Sequence, residues 1–141
     1  MLAWFKDLIA PIHRDDPRFG VLRYLRDARF WEGKVPFRPT KRQIEVLVSG
    51  QPTGPTEDQR KFFDALEGRY DALWPAIKEK LDMESQRVGA VSHDFELVSI
   101  RVPERFWQDA EWELSYETRS PLWHFTVRLR GWTPAEAIGE C

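Results

Sequence analysis

The segment from Thr56 to Leu81, TEDQRKFFDALEGRYDALWPAIKEKL, is the stretch of the chain in which one periodicity persists for many turns. Its large apolar side chains recur at helical spacing and share one side of a helical wheel: Phe62, Phe63, Leu66, Tyr70, Leu73, Trp74, Ile77 and Leu81. This pattern predicts an amphipathic helix with one buried face. Because Thr56 and Gln59 have the spacing of a capping box, we expect the helix to begin within two residues of Thr56.

Pro75 lies inside this segment and removes one intrahelical hydrogen bond. It falls on the polar side of the wheel, where a proline favours a bend in a continuous helix that curves over a sheet. The alternative is a break into two shorter helices. Ala65, Ala72 and Ala76 form a stripe where another backbone could approach, although the high helix propensity of alanine explains them equally well.

The composition indicates a single globular domain over residues 1–141, with 42% apolar residues that include seven Trp and nine Phe. The formal net charge is −2, so the chain lacks the excess of Lys and Arg that is typical of a nucleic-acid-binding protein. The single cysteine, Cys141, excludes an intrachain disulfide and a Cys-based zinc site, which fits a cytoplasmic location.

The first eleven residues, MLAWFKDLIAP, have neither the basic region of a signal peptide nor the length of a transmembrane helix. Leu2, Phe5 and Ile9 would share one side of a short N-terminal helix that ends at Pro11. We predict that this helix docks on the domain and that the protein has no membrane partner. An interfacial membrane anchor is the alternative.

Six strands are predicted from period-2 patterns and turn residues: Phe19 to Leu25, Phe30 to Phe37, Gln43 to Val48, Phe95 to Val102, and the alternating runs 111–117 and 123–130. The expected fold class is α+β, with a largely antiparallel six-stranded sheet in β3-α-β3 order, one long helix on one face and the short N-terminal helix. Met83 to Asp94 is interpreted as the return loop. Residues 133–141 receive no predicted element.

Cross-strand patterns predict the registers of two hairpins. In the first, Arg23 pairs with Glu32, Tyr24 with Trp31 and Leu22 with Gly33, around a tight connection at Asp27-Ala28 or a longer loop. In the last, the inner pairs are Trp112 with Leu129, Leu114 with Val127 and Tyr116 with Phe125, and the outer pairs are Glu111 with Arg130, Glu113 with Arg128 and Glu117 with His124.

The face opposite the long helix is predicted to carry Phe19, Val21, Leu25 and Phe30, more apolar surface than a sheet normally exposes to water. Its cover would be the N-terminal helix, a second subunit or a ligand. We expect intramolecular cover, with a homodimer as the second choice.

No residue pattern in the chain argues for catalysis or for a cofactor. His13, His93 and His124 lack metal-binding spacing. His93-Asp94 is the one adjacent pair that could provide a base, yet an aspartate at a loop end commonly makes turn hydrogen bonds. Neither a G-x-S-x-G motif nor a glycine-rich phosphate loop is present. We therefore predict no catalytic residues, no metal and no cofactor.

The loop from Pro103 to Ala110, PERFWQDA, carries two adjacent aromatic residues. An exposed tryptophan near an arginine is typical of residues that anchor a partner, whereas both aromatics could instead fold back as a lid over the core. The charged ladder of the last hairpin is either a recognition surface or an ordinary solvated face. The predicted binding residues are Arg105, Phe106, Trp107, Glu113, Arg128 and Arg130.

Three short motifs resemble those of a group of uncharacterised bacterial domains: D-P-x-F-G-x-L at residues 16–22, W-E-G at 31–33 and G-P-T-x-x-Q at 54–59. The resemblance covers mainly residues 16–81. Some similar domains are regarded as immunity proteins of toxin systems. It implies a small cytoplasmic α+β protein that binds another protein, and it supplies no catalytic residues.

The predicted function is therefore that of a non-enzymatic cytoplasmic binding protein whose partner is another protein. The alternative is an enzyme or a small-molecule-binding protein with a pocket between the sheet and the long helix, near Tyr24, Trp31 and Tyr70.

Overall fold

The computed structural model describes residues 12–90, 94–119 and 121–141. These residues form β1 (Ile12–Asp16), β2 (Gly20–Leu25), β3 (Phe30–Phe37), β4 (Arg42–Ser49), α1 (Glu57–Val88), β5 (Glu96–Val102), β6 (Glu111–Thr118), β7 (Trp123–Arg130) and β8 (Thr133–Glu140). The N-terminal helix predicted for residues 1–11 lies outside the described residues.

The eight strands form one sheet in which their spatial order is their order in the chain. All neighbours are antiparallel except β4 and β5, which are parallel and are joined by α1. The predicted six strands in β3-α-β3 order are therefore wrong, because four strands precede the helix and four follow it. The α+β class with a predominantly antiparallel sheet is confirmed.

The first strand missing from the prediction is β1, whose sequence IHRDD has no apolar alternation. Its pairing with β2 depends on Asp16, whose carboxylate accepts the backbone N–H groups of Arg18 (2.9 Å) and Phe19 (3.0 Å) across the turn. Arg60 of α1 donates to the same carboxylate at 2.7 Å. Burial opposes ionisation of Asp16, but these hydrogen bonds outweigh it, so the pKa of Asp16 is lowered. One buried carboxylate thus ties the edge hairpin to the helix.

The second missing strand is β8, formed by the tail that received no predicted element. It pairs with β7 along most of its length. The Gly139 N–H donates to the Glu84 carboxylate at 2.7 Å, and a Cβ on Gly139 would lie 2.7 Å from the Phe125 ring. The return loop predicted from Met83 is wrong because α1 continues to Val88. The end of the helix and the last strand therefore support each other.

The predicted start of the helix is confirmed. Thr56 is the N-cap, and both hydrogen bonds of its capping box with Gln59 are present, at 3.2 and 3.0 Å. The helix is continuous through Pro75, as predicted, and the alternative of a break into two shorter helices is wrong. Of the eight residues predicted on the buried face, Leu73 and Trp74 are half-buried. The other six are confirmed, each 6% exposed or less: Phe62, Phe63, Leu66, Tyr70, Ile77 and Leu81. No helix in the described ranges is both long and apolar enough to span a bilayer.

Both predicted hairpin registers are confirmed where strand pairing is observed. Arg23 lies opposite Glu32 and Tyr24 opposite Trp31, with a four-residue loop, 26–29, as the connection. Leu22 lies against Gly33, because a Cβ on this glycine would be 2.7 Å from Leu22 Cδ2. All six predicted pairs between β6 and β7 are observed.

The sheet has an inner face, covered by α1, and an outer face, which the described elements leave open. The inner face contributes most of the core. Phe19 was predicted on the outer face, which is wrong: it follows the Asp16 turn, is fully buried, and its ring centroid lies 5.4 Å from that of Phe63 in α1. Val21 does lie in the open, 69% exposed.

Candidate functional site

The two aromatic residues of the loop at 103–110 have opposite environments. The Phe106 ring packs inward, with ring centroids 4.9 Å from Phe62 and 4.5 Å from Trp132. Trp107 is 59% exposed. Phe106 therefore folds back over the core as the lid interpretation predicts, whereas Trp107 projects into solvent.

The loop is held in place by the turn between β7 and β8. Gly131 donates its N–H to the Ala110 carbonyl at 2.8 Å and accepts the Trp112 indole N–H at 2.6 Å. Gly131 has φ +56°, and a Cβ there would lie 2.3 Å from the Gln108 carbonyl oxygen. A glycine is therefore required where the turn meets the loop, and Trp107 projects from a fixed backbone.

Beside this loop, the outer face forms a groove of about 510 Å³, here called the outer groove. It is lined by Ser49, Arg101, Pro103, Glu104, Arg105, Trp107, Ala110, Glu111, Trp112, Glu113 and Arg128. Four of the predicted binding residues meet there: Arg105, Trp107, Glu113 and Arg128. Arg130 lies beside the groove, where its Nη2 atom is 3.2 Å from Glu111 Oε1. Phe106 does not line it.

Sequence reasoning missed Arg101 and Glu104 as members of this site. Arg101 is placed there by a row of cross-strand partners that runs over five strands: Leu47, Arg101, Glu113, Arg128 and Glu136. The pair of Leu47 and Arg101 belongs to the parallel contact between β4 and β5, which no local pattern reveals. Glu104 follows Pro103 in the loop, and a single charged residue in a loop does not indicate a binding site.

The charges of the outer groove are mixed and only partly paired. Arg128 bonds to Glu136 at 2.6 Å, and Glu111 bonds to Arg130. Four other charged side chains of the groove make no ion pair with any residue that the structure describes: Arg101, Glu104, Arg105 and Glu113. The guanidinium of Arg101 lies 5.6 Å from the centre of the Phe30 ring. The groove therefore offers both signs of charge beside an exposed indole.

The place predicted for an alternative pocket, between the sheet and α1, is filled by side chains. Tyr24 Oη donates to the Gly50 carbonyl at 3.0 Å, and Trp31 Nε1 donates to the Gln51 carbonyl at 3.0 Å. The hydroxyl groups of Tyr70 and Tyr116 are hydrogen-bonded at 2.6 Å, and burial raises the pKa of Tyr70 to about 12. These polar groups are satisfied by the protein itself.

The carboxyl ends of the parallel strands β4 and β5 are also occupied. In open α/β sheets this position commonly holds a ligand. Here the buried Gln59 amide donates to the carbonyls of Ser49 and Pro103, the latter at 3.0 Å. The glutamine of the G-P-T-x-x-Q motif therefore joins the two strand ends to the start of the helix, which is a structural role.

In the described part of the chain, no group of three His, Cys, Asp or Glu residues is arranged to hold a metal ion. His13 and His124 are exposed on the outer face, and Nδ1 of His124 lies 3.8 Å from Glu117 Oε1. Cys141 is exposed. The predicted pair of His93 and Asp94 includes His93, which lies outside the described residues.

No family model, no curated protein and no solved structure matches this chain. The resemblance of its three motifs to bacterial domains therefore stays a prediction. In the fold these motifs have structural roles: Asp16 closes a turn, Gly33 makes room for Leu22, and Gln59 joins two strands.

Proposed function

We propose that this chain is a non-enzymatic binding protein whose partner, another protein, docks in the outer groove. The observation that carries the proposal is Trp107, a large apolar side chain held 59% exposed on a loop fixed by Phe106 and Gly131. Contact between an apolar ring and water is unfavourable, so a partner that buries the Trp107 indole would gain free energy of binding.

The composition of the groove supports a protein partner. Tryptophan and arginine are enriched among the residues that dominate protein interfaces, and Trp107 here lies among Arg101, Arg105 and Arg128. Because the loop is already fixed, its ordering would cost little on binding. Three glutamates balance the three arginines, which disfavours a nucleic acid and favours a protein surface of mixed charge.

The resemblance to bacterial domains that include immunity proteins supports a toxin as the partner and the cytoplasm as the location. On this proposal the chain acts by binding: it covers a surface of the toxin and catalyses no reaction.

Comparative affinity capture from the source cell tests the proposal. The tagged chain, its Trp107→Ala variant and its Arg105→Glu variant are compared with the control Leu122→Ala, which removes a 65% exposed side chain at the opposite end of β7. A protein retained by the wild type and the control but lost from both groove variants supports the proposal. Retention of every captured protein by the Trp107→Ala variant contradicts it.

A further inference from the structure

Glu113 lines the outer groove with a carboxylate that its neighbours leave unpaired. It lies on β6 directly opposite Arg101 of β5 and Arg128 of β7. The Arg128 guanidinium bonds instead to Glu136, at 2.6 Å. The Arg101 guanidinium lies 5.6 Å from the centre of the Phe30 ring. Within the described ranges, Glu113 is therefore a half-buried carboxylate that forms no ion pair although it lies between two arginines.

Equivalent pairs of opposite charge elsewhere on the outer face do bond. Arg23 and Glu32 face each other across β2 and β3 and form an ion pair. Glu111 and Arg130 face each other across β6 and β7, with 3.2 Å between Oε1 and Nη2. The spacing of neighbouring strands therefore permits such bonds on this sheet. At Glu113 the flanking arginines interact elsewhere, so the groove has a carboxylate that can accept a cation from outside.

Trp107 gives the same groove an exposed aromatic surface. Its side chain is 59% exposed, and the groove has a volume of about 510 Å³. The face of an indole ring attracts a cation that lies within about 6 Å of the ring centre. A carboxylate accepts two parallel hydrogen bonds from a guanidinium. An arginine side chain from a partner can therefore pair with Glu113 and cover Trp107 at the same time.

An acidic group fits the centre of this groove less well. Arg101 and Arg105 are exposed, so their guanidinium groups are hydrated and gain little from an ion pair. The negative face of the Trp107 ring repels a carboxylate. Glu113 is half-buried and has less water around it, so a direct partner stabilises it more. Arg105 remains available to an acidic residue of the same partner, in keeping with a partner surface of mixed charge.

We propose that the partner inserts an arginine side chain into the outer groove, where the guanidinium pairs with the Glu113 carboxylate and stacks on the Trp107 indole. This inference rests on the function proposed above and names the chemical group that the groove recognises. Arginine fits better than lysine, because its planar guanidinium bonds to a carboxylate through two N–H groups and stacks on a ring, whereas an ammonium group is a strongly hydrated point charge.

An NMR titration of the full chain with the capped tripeptide Gly-Arg-Gly tests this recognition. The readout is the indole N–H resonance of Trp107, which is assigned by its absence from a Trp107→Phe variant. We expect a saturable shift of this resonance. The same peptide with citrulline in place of arginine has nearly the same shape but no charge. It should bind about tenfold more weakly, because the charge-assisted hydrogen bonds are lost.

A pair of glutamate variants locates the binding group. Glu113→Gln should weaken binding of the arginine peptide by about tenfold, because it removes the charge and keeps the shape. The control Glu45→Gln removes an outer-face glutamate of β4 that does not line the groove, and it should leave the affinity unchanged. Urea titration establishes that both variants are folded. The inference would be overturned by an unshifted Trp107 resonance, by equal affinity for the citrulline peptide, or by unchanged affinity in Glu113→Gln.

The affinity capture described above separates this inference from the proposed function when Glu113→Gln is added to it. A protein lost from the Trp107→Ala variant and from Glu113→Gln, and displaced from the wild type by the arginine peptide, supports both. A protein lost from Trp107→Ala but retained by Glu113→Gln overturns the arginine inference alone. Retention of every protein by Trp107→Ala contradicts the proposed function and the inference with it.

Discussion

The two faces of the sheet are built from the same strands and use the same residue types in opposite ways. On the inner face, Trp31 and Trp112 are at most 2% exposed and their indole N–H groups are hydrogen-bonded. On the open side, Trp107 is 59% and Val21 is 69% exposed. Because successive side chains of a strand point to opposite faces, the side that α1 covers decides which residues stabilise the fold and which remain available to a partner.

The largest expected difference between the faces is in stability. Leu66→Ala should lower the free energy of unfolding by about 2–5 kcal/mol, because Leu66 is fully buried in α1 and its removal leaves a cavity. The matched control, Val21→Ala on the outer face, should change it by less than about 0.5 kcal/mol. Urea titration measures both values, and similar losses in the two variants would contradict the assignment of the faces.

Two glycine substitutions should act in opposite directions. Gly131→Ala should destabilise by about 1–3 kcal/mol, because the residue has φ +56° and its new Cβ would meet the Gln108 carbonyl. Gly68→Ala in α1 should stabilise by about 0.5–1 kcal/mol, since nothing lies within 4 Å of its Cβ position. Thermal unfolding of both variants tests this, and a neutral Gly131→Ala would mean that the loop carrying Trp107 is not fixed by this turn.

The carboxylate of Asp16 should make stability depend on pH. Its folded pKa is lowered, so its contribution is complete above the unfolded value of about 3.9 and is lost as the pH falls through the folded value. Asp16→Asn should cost about 1–3 kcal/mol at pH 7, because the hydrogen bonds to Arg60 and to two backbone amides lose their charge. The difference from wild type should shrink in acid; a constant difference between pH 7 and pH 3 would refute this role.

The smallest expected effect on stability belongs to the proposed anchor. Trp107→Ala should change the free energy of unfolding by less than about 0.5 kcal/mol, because more than half of the side chain is already in water. Phe106→Ala, its neighbour in the chain, should cost about 3 kcal/mol or more because its ring packs against Phe62 and Trp132. Equal losses of unfolding free energy in the two variants would show that Trp107, like Phe106, packs in the core.

The elements that could be predicted are those whose reason for forming is local. The capping box of Thr56 and Gln59, the apolar face of α1 and the β6–β7 register all follow from spacings within a few turns or one hairpin. The strands β1 and β8 could not be predicted, because they are stabilised by distant partners. Asp16 of β1 is hydrogen-bonded to Arg60 of α1, and Gly139 of β8 is hydrogen-bonded to Glu84 of α1. A signal for the true end of the helix was present in Gly89, a C-cap with φ 76°.

The residues of the candidate site are also predictable from the sequence only in part. Residue type and position predict Arg105, the aromatic pair of the loop and the alternating charges of β6 and β7 as binding residues. The sequence does not show which of Phe106 and Trp107 is buried, because the burial of Phe106 depends on the aromatic cluster formed by Phe62 and Trp132. Arg101 could not be found because parallel pairing joins segments about fifty residues apart.

The sequence by itself determined the long amphipathic helix, the alternation of the strands and the absence of a cysteine framework, since periodicity and composition act over short distances. Only the tertiary structure decided the eight-strand order, the parallel junction of β4 with β5 and the side of the sheet on which each aromatic of the loop lies. The physical reason is that buried hydrogen bonds and ring packing between distant segments, such as Gln59 with Pro103 and Phe62 with Phe106, have no local periodicity to reveal them.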